Sequence, residues 1–241
     1  ATFDIGCLGT SPYWFSLLNT IPLSVLATTD NNIQAERKQI RQSMRVKRRH
    51  LSRHAQNKAA VNLCRTLKKH CLEKRVNAVA IYLANDGEID PGPFIKTLWR
   101  NKVAVYLPVL NPVKKNQLWF CLFTPDTKLK PNRFGIPEPD IRAAKRVPAW
   151  ALSLTLFPLV AFDNKGGRLG MGGGFYDRTF AFADRNRQMS PAKQGLMRAP
   201  RLCGLAHDFQ RVDQLPLASW DVTLEHIATD KTFYKSTWSL I

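Results

Sequence analysis

Residues 152–183 read LSLTLFPLVAFDNKGGRLGMGGGFYDRTFAFA. The apolar run at residues 152–162 predicts a buried strand that leads into a turn at residues 163–165. Six of the 13 glycines of the chain follow within residues 166–174, so the backbone there can adopt positive φ values or approach a ligand closely. Residues 176–183 predict a short helix. A strand, a glycine-rich loop and a helix in this order predict a site where backbone amides and a helix N-terminus bind an anion.

The glycine stretch matches neither of the two best-known phosphate motifs. A P-loop needs Lys-Ser or Lys-Thr after its last glycine, and the dinucleotide fingerprint needs glycine at the position of Phe175. Because turns favour glycine, a turn without a ligand is the alternative interpretation. Two charged side chains favour a binding site, since Arg168 can bind a phosphate with two N–H groups and Asp177 can bind a divalent cation.

Nearer the N-terminus, the sequence predicts a β-α-β unit. Residues 77–84 have the pattern of a buried strand, Asp90 and Pro91 mark the start of a helix, and residues 102–108 predict the next strand. The short links between these elements imply that the two strands are parallel.

Three more strands and one loop complete the predicted sheet. Residues 118–123 predict a strand that is antiparallel or at an edge, and residues 201–206 and 227–229 predict two more strands. The prolines of residues 133–139 exclude regular structure and predict an ordered loop on the sheet. The whole pattern predicts an α/β protein with one core.

The positive charge of the chain is concentrated in one segment. The net charge is +18, and residues 37–75 contain 14 Lys or Arg against a single acidic residue. Apolar residues at helical spacing predict an amphipathic helix over residues 37–51, and Ser52 predicts the N-cap of a second helix. Three interpretations of the charged face are open: a solvated surface, a nucleic-acid arm, or the wall of a polyphosphate site. The basic side chains of the first helix are Arg37, Lys38, Arg41, Arg45, Lys47, Arg48 and Arg49.

Composition restricts the class of protein further. The five cysteines are widely spaced, with no C-x-x-C pair and no histidine at metal-ligand spacing, which predicts a reduced, cytoplasmic chain without zinc. No apolar run reaches the roughly 20 residues of a membrane span. Residues 1–36 contain no Lys or Arg, so they lack the basic start of a secretory signal. We expect them to form an extension of unknown status, with disorder or a cloning or start-site artefact as open interpretations, before a single domain at residues 37–241.

Several polar groups follow predicted strand ends. Glu88, Pro108 and the glycine stretch each come just after a strand, and ligands of open α/β sheets bind beyond the carboxyl ends of the strands. We therefore expect these segments to meet at one site. For Glu88 the alternative is an ordinary exposed turn carboxylate.

Four segments of the chain form an ordered set of motifs: Arg37-Lys38-Gln39-Ile40-Arg41, Gly87-Glu88-Ile89-Asp90, Gly135-Ile136-Pro137-Glu138-Pro139 and residues 168–178. In this order they resemble the 5-formyltetrahydrofolate cyclo-ligase family, also called methenyltetrahydrofolate synthetases. The glycine segment is the specific one. The stretch Gly204-Leu205-Ala206, with Leu215-Pro216 and Asp221-Val222 beyond it, agrees with the C-terminal part of the family.

The resemblance implies a single α/β domain with a parallel-rich, Rossmann-like open sheet flanked by helices, and a basic N-terminal helix. It also implies ATP- and Mg²⁺-dependent conversion of 5-formyltetrahydrofolate to 5,10-methenyltetrahydrofolate, with ADP and phosphate as products. The formyl oxygen is a poor leaving group, and its phosphorylation lets N10 close the ring while phosphate departs. We expect small-molecule substrates, no membrane or nucleic-acid partner, and a monomer.

The resemblance implies roles for individual residues. Arg168 and Asp177 match catalytic positions, and Asp177 and Asp221 match magnesium ligands, with Asp221 as the second acid near the metal. Leu83 and Glu88 match folate contacts, and the folate also lies beside Met171, Gly172, Gly173, Gly174 and Phe175. The positions that match ATP contacts are Arg37, Lys38, Arg41, Arg168, Leu169, Gly170, Met171, Gly172, Gly173, Gly174, Phe175 and Tyr176.

Two positions depart from the family pattern. Arg37 stands where lysine is common, which keeps the charge but changes its geometry. Phe175 stands where tyrosine is common, so a phenolic hydroxyl at that position is not essential here. The alternatives to this family are a nucleic-acid-binding protein that uses residues 37–75, and a relative of the fold that acts on sugar phosphates or acyl-CoA.

Overall fold

The computed structural model describes residues 23–72, 76–188, 199–218 and 220–236. The chain divides into two units, Ala1–Glu36 and Arg37–Ile241. In the first unit residues 23–36 are helical, and residues 1–22 of the expected extension lie outside the described residues. Helix α1, Leu23–Arg49, contains most of the predicted basic helix.

A mixed β-sheet forms the centre of the second unit. The described strands are β1 Ala78–Ala80, β2 Ala104–Leu110, β3 Leu118–Phe123, β4 Leu129–Pro131, β5 Pro137–Pro139, β6 Arg146–Val147, β7 Leu154–Pro158, β8 Ala161–Phe162, β9 Arg168–Leu169, β10 Arg201–Ala206, β11 His226–Thr229 and β12 Phe233–Lys235. The spatial order in the main sheet is β12-β11-β10-β7-β1-β2-β3-β6. Its central neighbours, from β11 to β2, are parallel, and β12, β3 and β6 are antiparallel. The predicted α/β class with a mostly parallel sheet is confirmed.

Helices cover both faces of this sheet. Helix α2, Arg53–Cys71, and helix α3, Gly92–Arg100, pack on the face that carries Leu156. Helix α4, Phe175–Gln188, packs on the opposite face, where Phe180 contacts Phe157. Neighbouring residues of one strand point to opposite faces, so Leu156 and Phe157 supply both cores. The predicted cap of α2 is confirmed, because Ser52 Oγ accepts a hydrogen bond from the Ala55 amide at 3.2 Å.

The predicted strand at residues 152–162 is in fact two strands in two sheets. Strand β7 ends at Pro158, which has no N–H group to continue the ladder, and β8 pairs with β9 in a separate antiparallel hairpin. The buried Asp163 carboxylate closes the hairpin turn, where it accepts from the Lys165 and Gly167 amides at 2.9 Å each. The glycine stretch is therefore divided between this turn and a second loop, residues 170–174, which leads into α4.

Two further predictions need correction, and one is confirmed. Prolines do not exclude regular structure from residues 133–139, because Pro137–Pro139 pairs with β4 as a short strand in which the prolines occupy alternate positions. The prediction that β3 is antiparallel or at an edge is confirmed, because β3 pairs antiparallel with both β2 and β6. Asp90 accepts from the Gly92 amide at 2.8 Å, yet the residue that caps α3 is Pro91.

The basic helix is not a uniformly solvated surface. Its apolar residue Met44 packs on the β8–β9 hairpin with Ala161 and Leu169. Two of its arginines are also buried, with 6% of Arg37 and 0% of Arg48 exposed. Burial of a guanidinium requires a compensating acid, so the structure around these two arginines is specific. None of the described helices is both long and apolar enough to cross a membrane.

The hairpin turn provides a test of packing at the glycines. Gly166 and Gly135 have similar positive φ values, +81° and +75°. A Cβ at Gly166 would lie 2.3 Å from the Leu224 carbonyl oxygen, whereas one at Gly135 would meet nothing within 4 Å. We expect Gly135→Ala to lower the free energy of unfolding by about 1–2 kcal/mol, and Gly166→Ala to lower it by about 1–3 kcal/mol more. Urea unfolding of both variants measures this difference, and equal losses would contradict it.

Candidate active site

The site lies where the carboxyl ends of β1 and β7 meet the basic helix and the loop of residues 170–174. Helix α1 is joined to this edge by two hydrogen bonds to backbone carbonyls. Arg41 Nε donates to the Gly170 oxygen at 2.8 Å, and Arg48 Nη1 donates to the Leu159 oxygen at 3.3 Å. The expectation that Glu88, Pro108 and the glycine stretch meet at one site stays a prediction. Pro108 lies inside β2 and not after its end, because the strand continues to Leu110.

Arg37 and Asp221 form a buried bidentate ion pair. Arg37 Nη1 lies 2.8 Å from Asp221 Oδ2, and Arg37 Nη2 lies 3.1 Å from Oδ1. The Ala218 amide also donates to Oδ2 at 2.9 Å. The two side chains are 7% and 8% exposed, so the pair fixes α1 at Arg37 against the segment before β11.

Arg168 and Asp177 form a second pair directly beside the glycine loop. Arg168 Nη2 donates to Asp177 Oδ1 at 2.5 Å, and the Arg168 guanidinium lies 4.9 Å from the centre of the Phe157 ring. Asp177 stands in the first turn of α4, where a negative charge is favourable. The Val222 amide donates to the same Oδ1 at 3.2 Å, so the Asp221–Val222 peptide joins the two ion pairs.

Cationic groups surround the loop of residues 170–174. Arg41 is half-buried, and burial together with the charge of Arg37 lowers its pKa. Arg178 Nη1 donates to the Gly173 oxygen at 2.9 Å. Lys38 is exposed on α1, and no hydrogen bond or ion pair joins it to this cluster within the described part of the chain. The structure therefore brings together Arg37, Arg41 and Arg168, but not Lys38.

Glu88 lies in a buried environment on the other side of Arg48. Its Oε2 accepts from the Asn85 amide at 3.1 Å, and its Oε1 lies 4.0 Å from Arg48 Nη1. Burial raises the pKa of Glu88 to about 7, although Arg48 acts to lower it. The same carboxyl group and burial raise the pKa values of the Tyr82 and Tyr176 phenols. Glu88 is therefore not the ordinary exposed turn carboxylate of the alternative interpretation.

The loop that precedes β5 contributes an aromatic residue that sequence reasoning missed. Phe134 is 53% exposed and meets Phe175 edge to face, with 6.0 Å between ring centres. Met171, at the tip of the glycine loop, is 50% exposed. An apolar surface of this kind at the mouth of a charged site suits a flat aromatic ligand. The sequence signal was a large apolar residue inside a proline-rich loop, which no hydrophobic periodicity explains.

The two acids predicted as magnesium ligands differ in what they offer a cation. Both Asp221 oxygens accept hydrogen bonds from Arg37. The hydrogen bonds that described residues donate to Asp177 all go to Oδ1. Among the described residues, no three His, Cys, Asp or Glu side chains converge in a cluster that could hold a metal. Mg²⁺ usually binds one or two carboxylates together with phosphate oxygens and water. Asp177 Oδ2 fits that arrangement, and Asp221 does not while Arg37 is bound to it.

The sheet, the buried arginines and the glycine loop define an α/β protein with a candidate anion-binding site at the carboxyl ends of its strands. The model of the 5-formyltetrahydrofolate cyclo-ligase family matches residues 33–230. The chain belongs to this family of enzymes.

Individual relatives agree with this assignment. The chain is 39% identical over 189 residues to 5-formyltetrahydrofolate cyclo-ligase of Haemophilus influenzae, which covers 78% of this chain and 95% of the relative. It is 41% identical over 153 residues to the Escherichia coli K12 protein of the same name, over 64% of this chain and 78% of that one. The NMR structure of Aquifex aeolicus 5,10-methenyltetrahydrofolate synthetase is similar with a TM-score of 0.66 and 26% identity, over 83% of this chain and 93% of that chain.

The environment of Glu88 predicts a pH dependence of stability. The pKa of Glu88 is about 7 in the folded chain and near 4.5 when the side chain is exposed. Between pH 4.5 and pH 7 the folded chain therefore binds more protons at Glu88 than the unfolded chain does. The stability contributed by neutral Glu88 is therefore present below about pH 4.5 and is lost as pH rises through 7. We expect Glu88→Gln to gain stability relative to the wild type over this range, by up to about 3 kcal/mol. Urea unfolding of both proteins at pH 5, 6, 7 and 8 measures the difference, and a constant difference would contradict the prediction.

Proposed function

We propose that this chain catalyses the ATP- and Mg²⁺-dependent conversion of 5-formyltetrahydrofolate to 5,10-methenyltetrahydrofolate, with ADP and phosphate as the other products. The proposal is supported by family membership and by the names of the relatives. The structural observation that carries it is the loop of residues 170–174, which contacts Arg41 through the Gly170 carbonyl and leads into Phe175, the ring partner of the exposed Phe134. Such a loop can contact a phosphate and an aromatic substrate at the same time. We place this activity in the domain of residues 37–241.

In this proposal the basic helix forms the wall of the triphosphate site. Arg41 supports this role, because its hydrogen bond goes to a carbonyl and its charge is close to that of Arg37. A phosphate would supply the negative charge that Arg41 lacks. The remaining ATP contacts are the loop residues from Arg168 to Tyr176, whose glycines let the backbone approach the phosphates. Lys38 takes part only if its exposed side chain turns toward the bound nucleotide.

The reaction needs a better leaving group than the formyl oxygen. In the first step this oxygen bonds to the γ-phosphorus of ATP while the bond from γ-phosphorus to the bridging oxygen breaks, and ADP departs. In the second step N10 bonds to the formyl carbon, the carbon–oxygen bond breaks, and phosphate leaves with the former formyl oxygen while N10 loses its proton. The protein supplies orientation and charge stabilisation, and Arg168 is well placed for both because Asp177 and the Phe157 ring hold its guanidinium in place.

The folate side of the proposed site is formed by Leu83, Glu88, the residues Met171 to Phe175, and Phe134. Glu88 can accept hydrogen bonds from pterin N–H groups, and burial around it strengthens such bonds. Phe134 and Phe175 provide the flat apolar surface for the ring system. In this proposal the formyl group lies beside the γ-phosphate at the glycine loop.

Asp177 would hold Mg²⁺ in this proposal, through the oxygen that its Arg168 and Val222 bonds leave unused. When bound, Mg²⁺ would neutralise charge on the phosphates during transfer. In this proposal Asp221 has a different role, because both of its oxygens accept from Arg37 in a bidentate pair. The second acid near the metal is therefore a positioning residue for an ATP contact.

The direct test mixes the purified protein with 5-formyltetrahydrofolate, ATP and Mg²⁺ and follows the ultraviolet absorbance of the methenyl product. We expect product to form only when all three are present, with one ADP released for each product molecule. Omission of ATP is the control. Product formation without ATP, or no product at all, would contradict the proposed function.

The two acids can be separated by substitution. We expect Asp177→Asn to abolish detectable turnover and to remove the strengthening of ATP binding by Mg²⁺, because the metal loses its carboxylate. Asp221→Asn should weaken ATP binding about tenfold both with and without Mg²⁺, since Arg37 loses its bidentate partner. Calorimetric titration of ATP with and without Mg²⁺ measures both effects. A loss of Mg²⁺ dependence in Asp221→Asn would show that Asp221 is itself a ligand.

A further inference from the structure

We propose that Arg48 is the positioning residue for Glu88: its buried guanidinium fixes the turn of residues 85–88 and supplies the positive charge that the folate-binding carboxylate needs. This inference rests on the proposed function. It assigns to the basic helix a second role, on the folate side of the site, in addition to its contacts with the triphosphate.

The burial of Arg48 is the first observation. The side chain is 0% exposed, and its guanidinium is held from two directions. Nη2 donates to Asp86 Oδ2 at 3.0 Å, and Nη1 donates to the Leu159 carbonyl at 3.3 Å and lies 4.0 Å from Glu88 Oε1. A charge is retained at such a depth only when fixed partners compensate it, so the guanidinium has little freedom to move.

The backbone of Arg48 also supports the turn directly. Gly87 has a φ of +73°, and a Cβ there would lie 3.0 Å from the Arg48 carbonyl carbon and oxygen. Gln56 Nε2 donates to the Gly87 carbonyl at 3.1 Å and lies 3.4 Å from the Arg48 carbonyl, so it links the two segments. Asp86, the residue before Gly87, has a positive φ of 51° although it is not a glycine. Such a conformation persists only where its surroundings hold it.

The groups around Glu88 show that Arg48 is the relevant charge. Two tyrosines among the described residues interact with this carboxyl: Tyr82, which follows β1, and Tyr176, in α4. Both are uncharged phenols whose pKa values are raised. Asp86, on the same turn, is negative and disfavours ionisation of Glu88. Arg48, from α1, is the positive group that opposes both burial and Asp86.

Arg45 and Arg49 provide matched controls. They bind the same Asp86 carboxylate, through Arg45 Nε at 2.7 Å and Arg49 Nε at 2.5 Å, but they do so from the solvent side. Their side chains are 35% and 55% exposed, against 0% for Arg48. Loss of Arg45 therefore removes one unit of charge and one bond to Asp86 without uncovering Glu88.

The test measures kcat/KM for 5-formyltetrahydrofolate against pH at saturating ATP and Mg²⁺. In the wild type, kcat/KM should rise as Glu88 ionises near pH 7. We expect Arg48→Gln to move this rise upward by about one pH unit, which lowers kcat/KM about tenfold at pH 6 and about fivefold at pH 7. Arg48→Lys, which keeps a charge, should restore most of the wild-type profile, and Arg45→Gln should leave it unchanged.

The outcomes separate this inference from the proposed function. A wild type that does not convert 5-formyltetrahydrofolate would overturn the proposed function, whereas an active wild type with an unmoved Arg48→Gln profile would overturn only the role of Arg48. If Arg48→Gln alone does not fold, Arg48→Gln/Glu88→Gln should fold, because a neutral amide needs no cation, and it should show the profile of Glu88→Gln alone. A double variant that also fails to fold would reduce Arg48 to a structural residue and overturn the inference.

Discussion

Buried guanidinium groups are the constraint on which the rest of the site depends. Arg37, Arg48 and Arg168 are between 0% and 6% exposed, and each binds an aspartate on a different segment of the chain. A buried charge without its partner is strongly destabilising, so each pair fixes the segment on which its acid stands. The aspartates belong to the turn after β1, the first turn of α4 and the segment before β11. Two of these segments are held to α1 by Arg37 and Arg48, and the third is held to β9 by Arg168.

The glycines of the site serve two different physical needs. Gly166 lies in the turn of the β8–β9 hairpin. A Cβ at this position would clash with the Leu224 carbonyl oxygen, so no side chain fits there without a shift. Gly172 and Gly174, with φ values of +98° and +64°, shape the exposed loop that faces the arginines. The first need concerns the stability of the hairpin, and the second concerns access of a ligand to the backbone. A single glycine-rich motif in the sequence thus covers a structural turn and the loop of the candidate site.

Charge on the basic helix is divided among several tasks. Arg45 and Arg49 compensate Asp86 near the surface, where burial acts to raise the pKa of that carboxyl and the two arginines lower it. Arg41 remains near the glycine loop with a carbonyl as its hydrogen-bond partner, which leaves its charge for an anion. Five arginines of this helix, Arg37, Arg41, Arg45, Arg48 and Arg49, therefore have hydrogen-bond partners within the domain itself.

Local sequence patterns were sufficient to predict the class of fold and the family. Alternating apolar runs and helical periodicity are local signals, so β1, β2, β3 and β10 could be predicted, as could the cap of α2. The glycine segment is specific enough to indicate the family. Other features became visible only in the folded chain, because they depend on partners distant in the sequence. They include the division of the strand at residues 152–162, the pairing of β6 with β3, and the strand Pro137–Pro139. The same holds for the Arg37–Asp221 pair, the burial of Arg48 beside Glu88, and the contact of Phe134 with Phe175. Side-chain type indicates which chemistry is available, but burial and pairing are properties of the folded neighbourhood, and they set where each charge acts.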